Sequence, residues 1–156
     1  MKLTSKVVLA ALASLVCSNS ANAQLAGSLT VEVEGLRNQA GNMCIKIFNG
    51  SQGFPNDNDS AVRRQCVAIA ANLPENPADP FSVSFENLNS GAYAVAIYHD
   101  SNSNEQLNRG SFGMPTEGYG FSNDAPATAG PPDYKDAVFL LAGSNTTIQI
   151  QMQYPQ

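Results

Sequence analysis

The chain has 156 residues, 13 acidic against 8 basic side chains, and a formal net charge of −5. Such an acidic protein repels the phosphate backbone of nucleic acids and the headgroups of anionic lipids, so neither is an expected partner. The negative surplus is compatible with cation binding, and equally with the ordinary charge that keeps a protein soluble.

The N-terminal segment has the features of a secretory signal peptide. Two lysines precede the apolar run Val7–Val16, and the small residues Ala21–Ala23 follow it. We therefore predict a signal peptide over residues 1–23 and a periplasmic or secreted protein. Lipid attachment at Cys17 is disfavoured because Val16 occupies the position where a small residue is required. No apolar run reaches the roughly 20 residues of a transmembrane helix, so no membrane span is expected.

Residues 24–156 are long enough for a single domain with a buried core. They contain two cysteines, Cys44 and Cys66. In an oxidising compartment these predict a disulfide bond. Zinc ligation is disfavoured because a structural zinc site needs four ligands and the chain has one histidine.

Alternating apolar and polar residues predict three half-buried strands, within Leu29–Glu34, Phe81–Glu86 and Thr147–Met152. Four more continuous apolar stretches predict strands buried on both faces: Met43–Phe48, Gln65–Ala70, Ala92–Tyr98 and Ala137–Leu141. About seven short strands without a long helical pattern predict an all-β fold. The expected architecture is an antiparallel two-sheet sandwich, immunoglobulin-like or transthyretin-like.

Residues 99–134, the capping segment, interrupt the succession of strands and are rich in Asn, Ser, Gly and Pro. A loop of this length in a compact domain is usually functional or disordered. Its apolar residues favour an ordered cap over one end of the sandwich. Four aromatic residues are candidates for a surface that binds a protein or small-molecule ligand, with burial beneath the cap as the alternative: Phe112, Tyr119, Phe121 and Tyr134.

The capping segment begins with oxygen-bearing side chains at the spacing of a calcium loop. The predicted calcium ligands are Asp100, Asn102, Asn104, Asn108 and, from farther along, Glu117, with Asp124 as another possible source of a carboxylate. An EF-hand is not indicated, because its glycine and final glutamate positions hold Glu105 and Ser111. The alternative is that these Asp and Asn side chains only cap turns.

An enzymatic alternative depends on His99, the only histidine of the chain. A hydrolase could combine it with Ser122 as the nucleophile, provided that an orienting acid converges with them. Neither a nucleophile elbow nor an HExxH motif is present. A hydrogen-bonded structural histidine under the cap is the alternative interpretation.

Several segments resemble a bacterial family, the domain of unknown function 2141 (DUF2141). They are Gly27–Gly35, Phe85–Tyr93, Tyr98–Asn104, Gly113–Asn123, and Pro131–Pro132 followed by Ala137–Phe139. The resemblance covers most of the chain and implies an exported β-sandwich without naming an activity. Members of the family commonly have Gly where this chain has Glu105 and Asp where it has Asn108, which implies a weaker metal site here.

The sequence is compatible with three functions. The first is an exported binding or structural module with a calcium-stabilised loop, for which a contiguous exposed aromatic patch would favour binding. The second is a hydrolase, which requires His99 to face a pocket with a nucleophile within about 3 Å. The third is a purely structural envelope component, which should have no pocket and one long unprotected edge strand.

Overall fold

The computed structural model describes residues 26–155; the predicted signal peptide, residues 1–23, lies outside the described residues. The strands are β1 (Ala26–Glu34), β2 (Asn42–Phe48), β3 (Arg63–Ala68), β4 (Phe81–Asn89), β5 (Gly91–Asp100), β6 (Tyr119–Phe121), β7 (Phe139–Leu141) and β8 (Asn145–Gln151). A four-residue helix, α1 (Tyr134–Ala137), precedes β7. Within this part of the chain, no helix is long and apolar enough to cross a membrane.

Two sheets form the predicted sandwich. One has the strand order β4-β1-β8 and the other β3-β2-β5-β6, with β7 also paired to β5. The predicted antiparallel two-sheet sandwich is confirmed, and within it one pair of strands, β1 and β8, runs parallel. Alternation of residues reports which face of a strand is buried and carries no information on its direction.

One predicted segment differs from the observed strands, and one observed strand was not predicted. A strand was predicted over Ala137–Leu141, but Ala137 is the last residue of α1. Only Phe139–Leu141 pairs with β5. Strand β6 was not predicted, since it is three residues long and lies inside the capping segment.

The main core lies between the two sheets. Leu29, Val31 and Val33 of β1 point inward and are almost completely buried, as their alternation predicted. From the opposite sheet, Ile45 and Ile97 face them in the same buried cluster. Burial of such side chains contributes about 1.5–3 kcal/mol each, which makes this cluster the principal source of stability.

A second apolar cluster lies on the outer face of the five-stranded sheet. Phe48, Ala94 and Ala96 of the sheet are buried there with residues of the capping segment, including Phe121. Part of the capping segment therefore covers this outer face, whereas the sequence predicted a cap over one end of the sandwich. The reason is that β6 adds to the edge of the sheet beside β5 and holds the segment against it.

The predicted disulfide bond is confirmed. Cys44 and Cys66 lie directly opposite each other on β2 and β3. They are joined with their Cα atoms 4.0 Å apart, slightly closer than the usual range of about 4.4–6.8 Å. The bond attaches the edge strand β3 to the centre of the sheet.

Candidate ligand-binding site

The outer face of the five-stranded sheet contains a cavity of about 490 Å³, which we call the Lys46 cavity. The strand register places Lys46, Ala96 and Phe121 side by side on β2, β5 and β6. Tyr98 and Tyr119 form the next row of the floor. Because Ala96 is small, space remains between its larger neighbours. A volume of this size is typical of small-molecule sites.

Lys46 is buried, with 8% of its surface exposed, although it carries an amine. Its Nζ lies 3.4 Å from the carbonyl oxygen of Asn56, a long hydrogen bond, and 5.8 Å from the centre of the Tyr98 ring. Burial, followed by the charges of Arg64 and Arg109, lowers the pKa of Lys46 from 10.5 to about 8.

Arg109 reaches the cavity from the capping segment. Its Nη1 donates to the carbonyl of Gly113 at 2.9 Å, and its Nη2 donates to Oδ1 of Asn56 at 3.1 Å. Both acceptors are uncharged. The positive charge of Arg109 is therefore fixed in position without being neutralised.

Within residues 26–155, neither of these cations forms an ion pair, although the charge of Asp57 acts on Lys46. The ion pairs found within residues 26–155 are Arg64 with Glu105, at 2.7 Å, and the distant pair of Lys135 with Asp133. Lys46 and Arg109 thus carry unpaired positive charges at one cavity, although the chain as a whole has a net charge of −5. A cavity with apolar walls and unpaired cations is suited to an anion with an apolar body.

The four predicted surface aromatics divide between the cavity and the packing around it. Tyr119, Phe121 and Phe112 line the cavity, and Phe112 is completely exposed at its rim. Tyr134 instead packs against Phe54, with ring centres 5.8 Å apart. Three of the four predicted residues therefore come together around one cavity, and their role in ligand binding stays a prediction.

The predicted calcium loop is closed by hydrogen bonds to Asp100, which is completely buried. Its Oδ1 accepts the N–H of Asn104 at 3.0 Å, and its Oδ2 accepts the N–H of Glu105 at 2.8 Å. These bonds are the turn-capping geometry that the sequence offered as the alternative to metal binding.

Glu117 reaches the same loop, as predicted, and is buried. Its Oε1 accepts the backbone N–H of Ser101 at 2.9 Å and the Ser101 hydroxyl at 2.8 Å. Its Oε2 accepts the N–H of Asn108 at 2.9 Å. Two carboxylates are thus buried in one loop, and neither forms an ion pair with a cation within residues 26–155.

The remaining predicted ligands are less buried. Asn104 donates from Nδ2 to Oδ1 of Asn108 at 2.9 Å, while Asn102 is exposed. Asp124 does not join them, since its carboxylate accepts the N–H of Gln151 at 2.8 Å. Among the described residues, no three His, Cys, Asp or Glu side chains are grouped closely enough to hold a metal ion.

His99 is buried and hydrogen-bonded through both ring nitrogens. Nε2 lies 2.7 Å from the carbonyl oxygen of Ala40, which can only accept, so Nε2 carries the proton. Nδ1 lies 2.7 Å from the hydroxyl oxygen of Tyr154 and accepts that hydroxyl when the ring is neutral. The buried Ser122 bonds to the backbone of Val95 and Ala137 instead. Both side chains thus have structural partners and do not contact each other.

Sequence reasoning missed Lys46 and Arg109. A signal for Lys46 existed, since it is the single charged residue in the otherwise apolar stretch Met43–Phe48. Nothing in the sequence indicates that Arg109 approaches it, because the two meet through Asn56, which lies in a third segment.

Comparison with known families matches residues 31–149 to a family described as an uncharacterized protein conserved in bacteria, DUF2141. The chain belongs to the DUF2141 family. No curated protein and no solved structure matches it. The matched range contains Lys46, Arg109 and the loop that Asp100 opens, so both candidate sites lie within the DUF2141 domain.

Proposed function

We propose that the protein is an exported binding module that holds a small organic anion with an apolar body in the Lys46 cavity. The observation that carries the proposal is the pair of cations, Lys46 and Arg109, that line the cavity and form no ion pair within residues 26–155, while the lining carboxylate of Glu105 is paired with Arg64. An anion placed between them would supply the missing counter-charge.

The energetics favour a ligand with two parts. Hydrogen bonds to charged groups contribute about 1.5–3 kcal/mol each, so the anionic part gains from each cation that it reaches. The apolar part would lie against Ala96, Tyr119 and Phe121 on the floor. A preferred orientation follows because Lys46 and Arg109 both bond to Asn56, whereas the rings of Tyr119 and Phe121 belong to β6.

Naphthalene-2-carboxylate combines both parts and serves as the probe, with affinity measured by isothermal titration calorimetry. Lys46→Met and Arg109→Gln should each weaken binding by about tenfold or more, because each removes one charged contact. Arg63→Gln and Lys135→Gln are the matched controls, since both residues are exposed cations outside the cavity lining. Equal affinity in all four variants, or no binding to the unaltered protein, would contradict the proposal.

A second candidate function is calcium binding at the loop opened by Asp100. The observation that favours it is the burial of two carboxylates, Asp100 and Glu117, without a cationic partner, because buried charges are usually paired or bound to metal. A carboxylate oxygen that accepts one N–H retains a second lone pair for a cation. With two carboxylates, the expected dissociation constant is on the order of 10⁻⁴–10⁻³ M.

A further inference from the structure

Residues 26–155 contain two lysines in opposite environments. Lys135 is exposed, and its amine pairs with Asp133 at 3.2 Å, which raises its pKa. Lys46 is buried at a cavity, has no carboxylate partner, and makes one long hydrogen bond. The amine of Lys46 is therefore both accessible from the cavity and weakly held.

The charged and titratable groups around Lys46 come from every element that surrounds it. Arg64 on β3 and Arg109 of the capping segment disfavour a protonated amine, whereas Asp57 favours it. Asp57 already accepts the Ser60 hydroxyl at 2.6 Å and the N–H of Asp59. These bonds reduce the stabilisation that its carboxylate gives to the protonated amine of Lys46.

The two remaining groups near Lys46 do not neutralise its charge. The negative charge of Glu105 is engaged by Arg64, and Tyr98 has a pKa raised by burial, so it stays neutral. With the pKa of Lys46 at about 8, about half of the Lys46 amines are unprotonated at pH 8, and only the unprotonated form has a lone pair for bond formation.

We propose that Lys46 is a covalent attachment site for a small aldehyde or ketone that occupies the cavity. The lone pair of Nζ forms a bond to the carbonyl carbon, and the carbonyl oxygen takes up the two amine protons. The oxygen and both protons then leave as water, and an imine remains. The permanent charge of Arg109 would hold a carboxylate on the same ligand. This inference rests on the proposed function, because it assigns the ligand of the same cavity to carbonyl-bearing acids.

Reductive trapping tests the inference directly. The full chain is incubated with 4-carboxybenzaldehyde and sodium cyanoborohydride at pH 7.5. The labelled positions are found by peptide mass mapping, which separates Lys46 and Lys135 from the N-terminal amine, Lys2 and Lys6. Lys46 should be labelled about tenfold or more faster than Lys135, because more of its amine is unprotonated. Naphthalene-2-carboxylate should slow labelling at Lys46 and leave Lys135 unaffected. Labelling of Lys135 at an equal or higher rate would overturn the inference.

Calorimetric binding of naphthalene-2-carboxylate to the unaltered protein separates the proposed function from this inference. Lys46→Arg removes the nucleophilic amine, so the label at position 46 should disappear. Lys135→Arg is its control and should retain the fast label. If naphthalene-2-carboxylate binds but Lys46 is not labelled preferentially, covalent attachment alone fails. If Lys46 is labelled preferentially but that anion does not bind, the proposed function fails.

Discussion

Lys46 and Arg109 converge on one residue, Asn56. The amine lies 3.4 Å from its backbone carbonyl oxygen, and the guanidinium donates to its side-chain oxygen at 3.1 Å. Asn56, which is 10 residues from Lys46 and 53 residues from Arg109, thereby holds two cations at one cavity. Because all of these acceptors are uncharged, the arrangement positions positive charge without cancelling it, as an anion-binding site requires.

The buried amine should lower stability at neutral pH. Since folding lowers the pKa of Lys46 from 10.5 to about 8, the unfolded chain binds more protons between these values. The contribution of Lys46 to stability is therefore most unfavourable below pH 8 and becomes less so as the pH rises towards 10.5. Lys46→Met should have a higher free energy of unfolding than the unaltered protein at pH 7, and this gain should shrink by pH 10. Urea unfolding at pH 7, 8.5 and 10 measures it.

Lys135→Met is the control for that series. Its amine is exposed and paired with Asp133, and its pKa is raised, so replacing it should give no stability gain at pH 7. A Lys46→Met gain that stays constant from pH 7 to pH 10 would show that the amine titrates alike in the folded and unfolded chain.

Glu105 occupies a backbone conformation that favours glycine, with φ at 58°. Glu105→Gly and Glu105→Ala both remove the ion pair with Arg64, whose exposed geometry makes it worth at most about 1 kcal/mol. Only glycine adopts this left-handed backbone conformation without steric strain. The glycine variant should therefore be more stable than the alanine variant by about 1 kcal/mol in urea unfolding. An alanine variant of equal stability would mean that this loop imposes no such strain.

Calcium should stabilise the domain through Asp100 and Glu117. At 100-fold excess over its dissociation constant, a ligand adds about 2.7 kcal/mol to stability, here a melting shift on the order of 10 °C. Asp100→Asn should abolish the shift and also lower the calcium-free melting temperature, because its amide can accept only one of the two N–H groups. Asp79→Asn, at an exposed aspartate in another loop, should keep the shift.

Thermal melts of these three proteins in 10 mM calcium and in chelator provide the measurement. Magnesium should shift the melting temperature less, because it requires strict octahedral geometry and retains its water ligands. Identical melting temperatures of the unaltered protein in calcium and chelator would leave turn capping as the complete account of the loop.

Sequence patterns predicted the features that follow from the order and type of neighbouring residues. Leu29, Val31 and Val33 alternate with polar residues because one face of β1 meets the core and the other meets solvent. Cys44 and Cys66 could be paired because a chain that is exported and cleaved as predicted would hold two cysteines in an oxidising compartment.

Features that depend on contacts between distant segments could not be predicted in the same way. The direction of β8 beside β1 is set by the path of the chain, and the three residues of β6 are too few for a periodic pattern. The sequence shows Lys46 as a charged residue in an apolar strand. Its place in a candidate anion site depends on Arg109 and Asn56, which only the folded chain brings together with it.

The most direct test of an anion site compares two probes of the same shape. Naphthalene-2-carboxylate and naphthalene-2-carboxamide share an apolar body and differ in charge, so their difference in affinity for the unaltered protein isolates what Lys46 and Arg109 contribute. The carboxylate should bind about tenfold or more tightly in calorimetric titrations at pH 7, and this preference should disappear in the Lys46→Met, Arg109→Gln double variant. Equal affinity of the unaltered protein for the two probes would contradict the account.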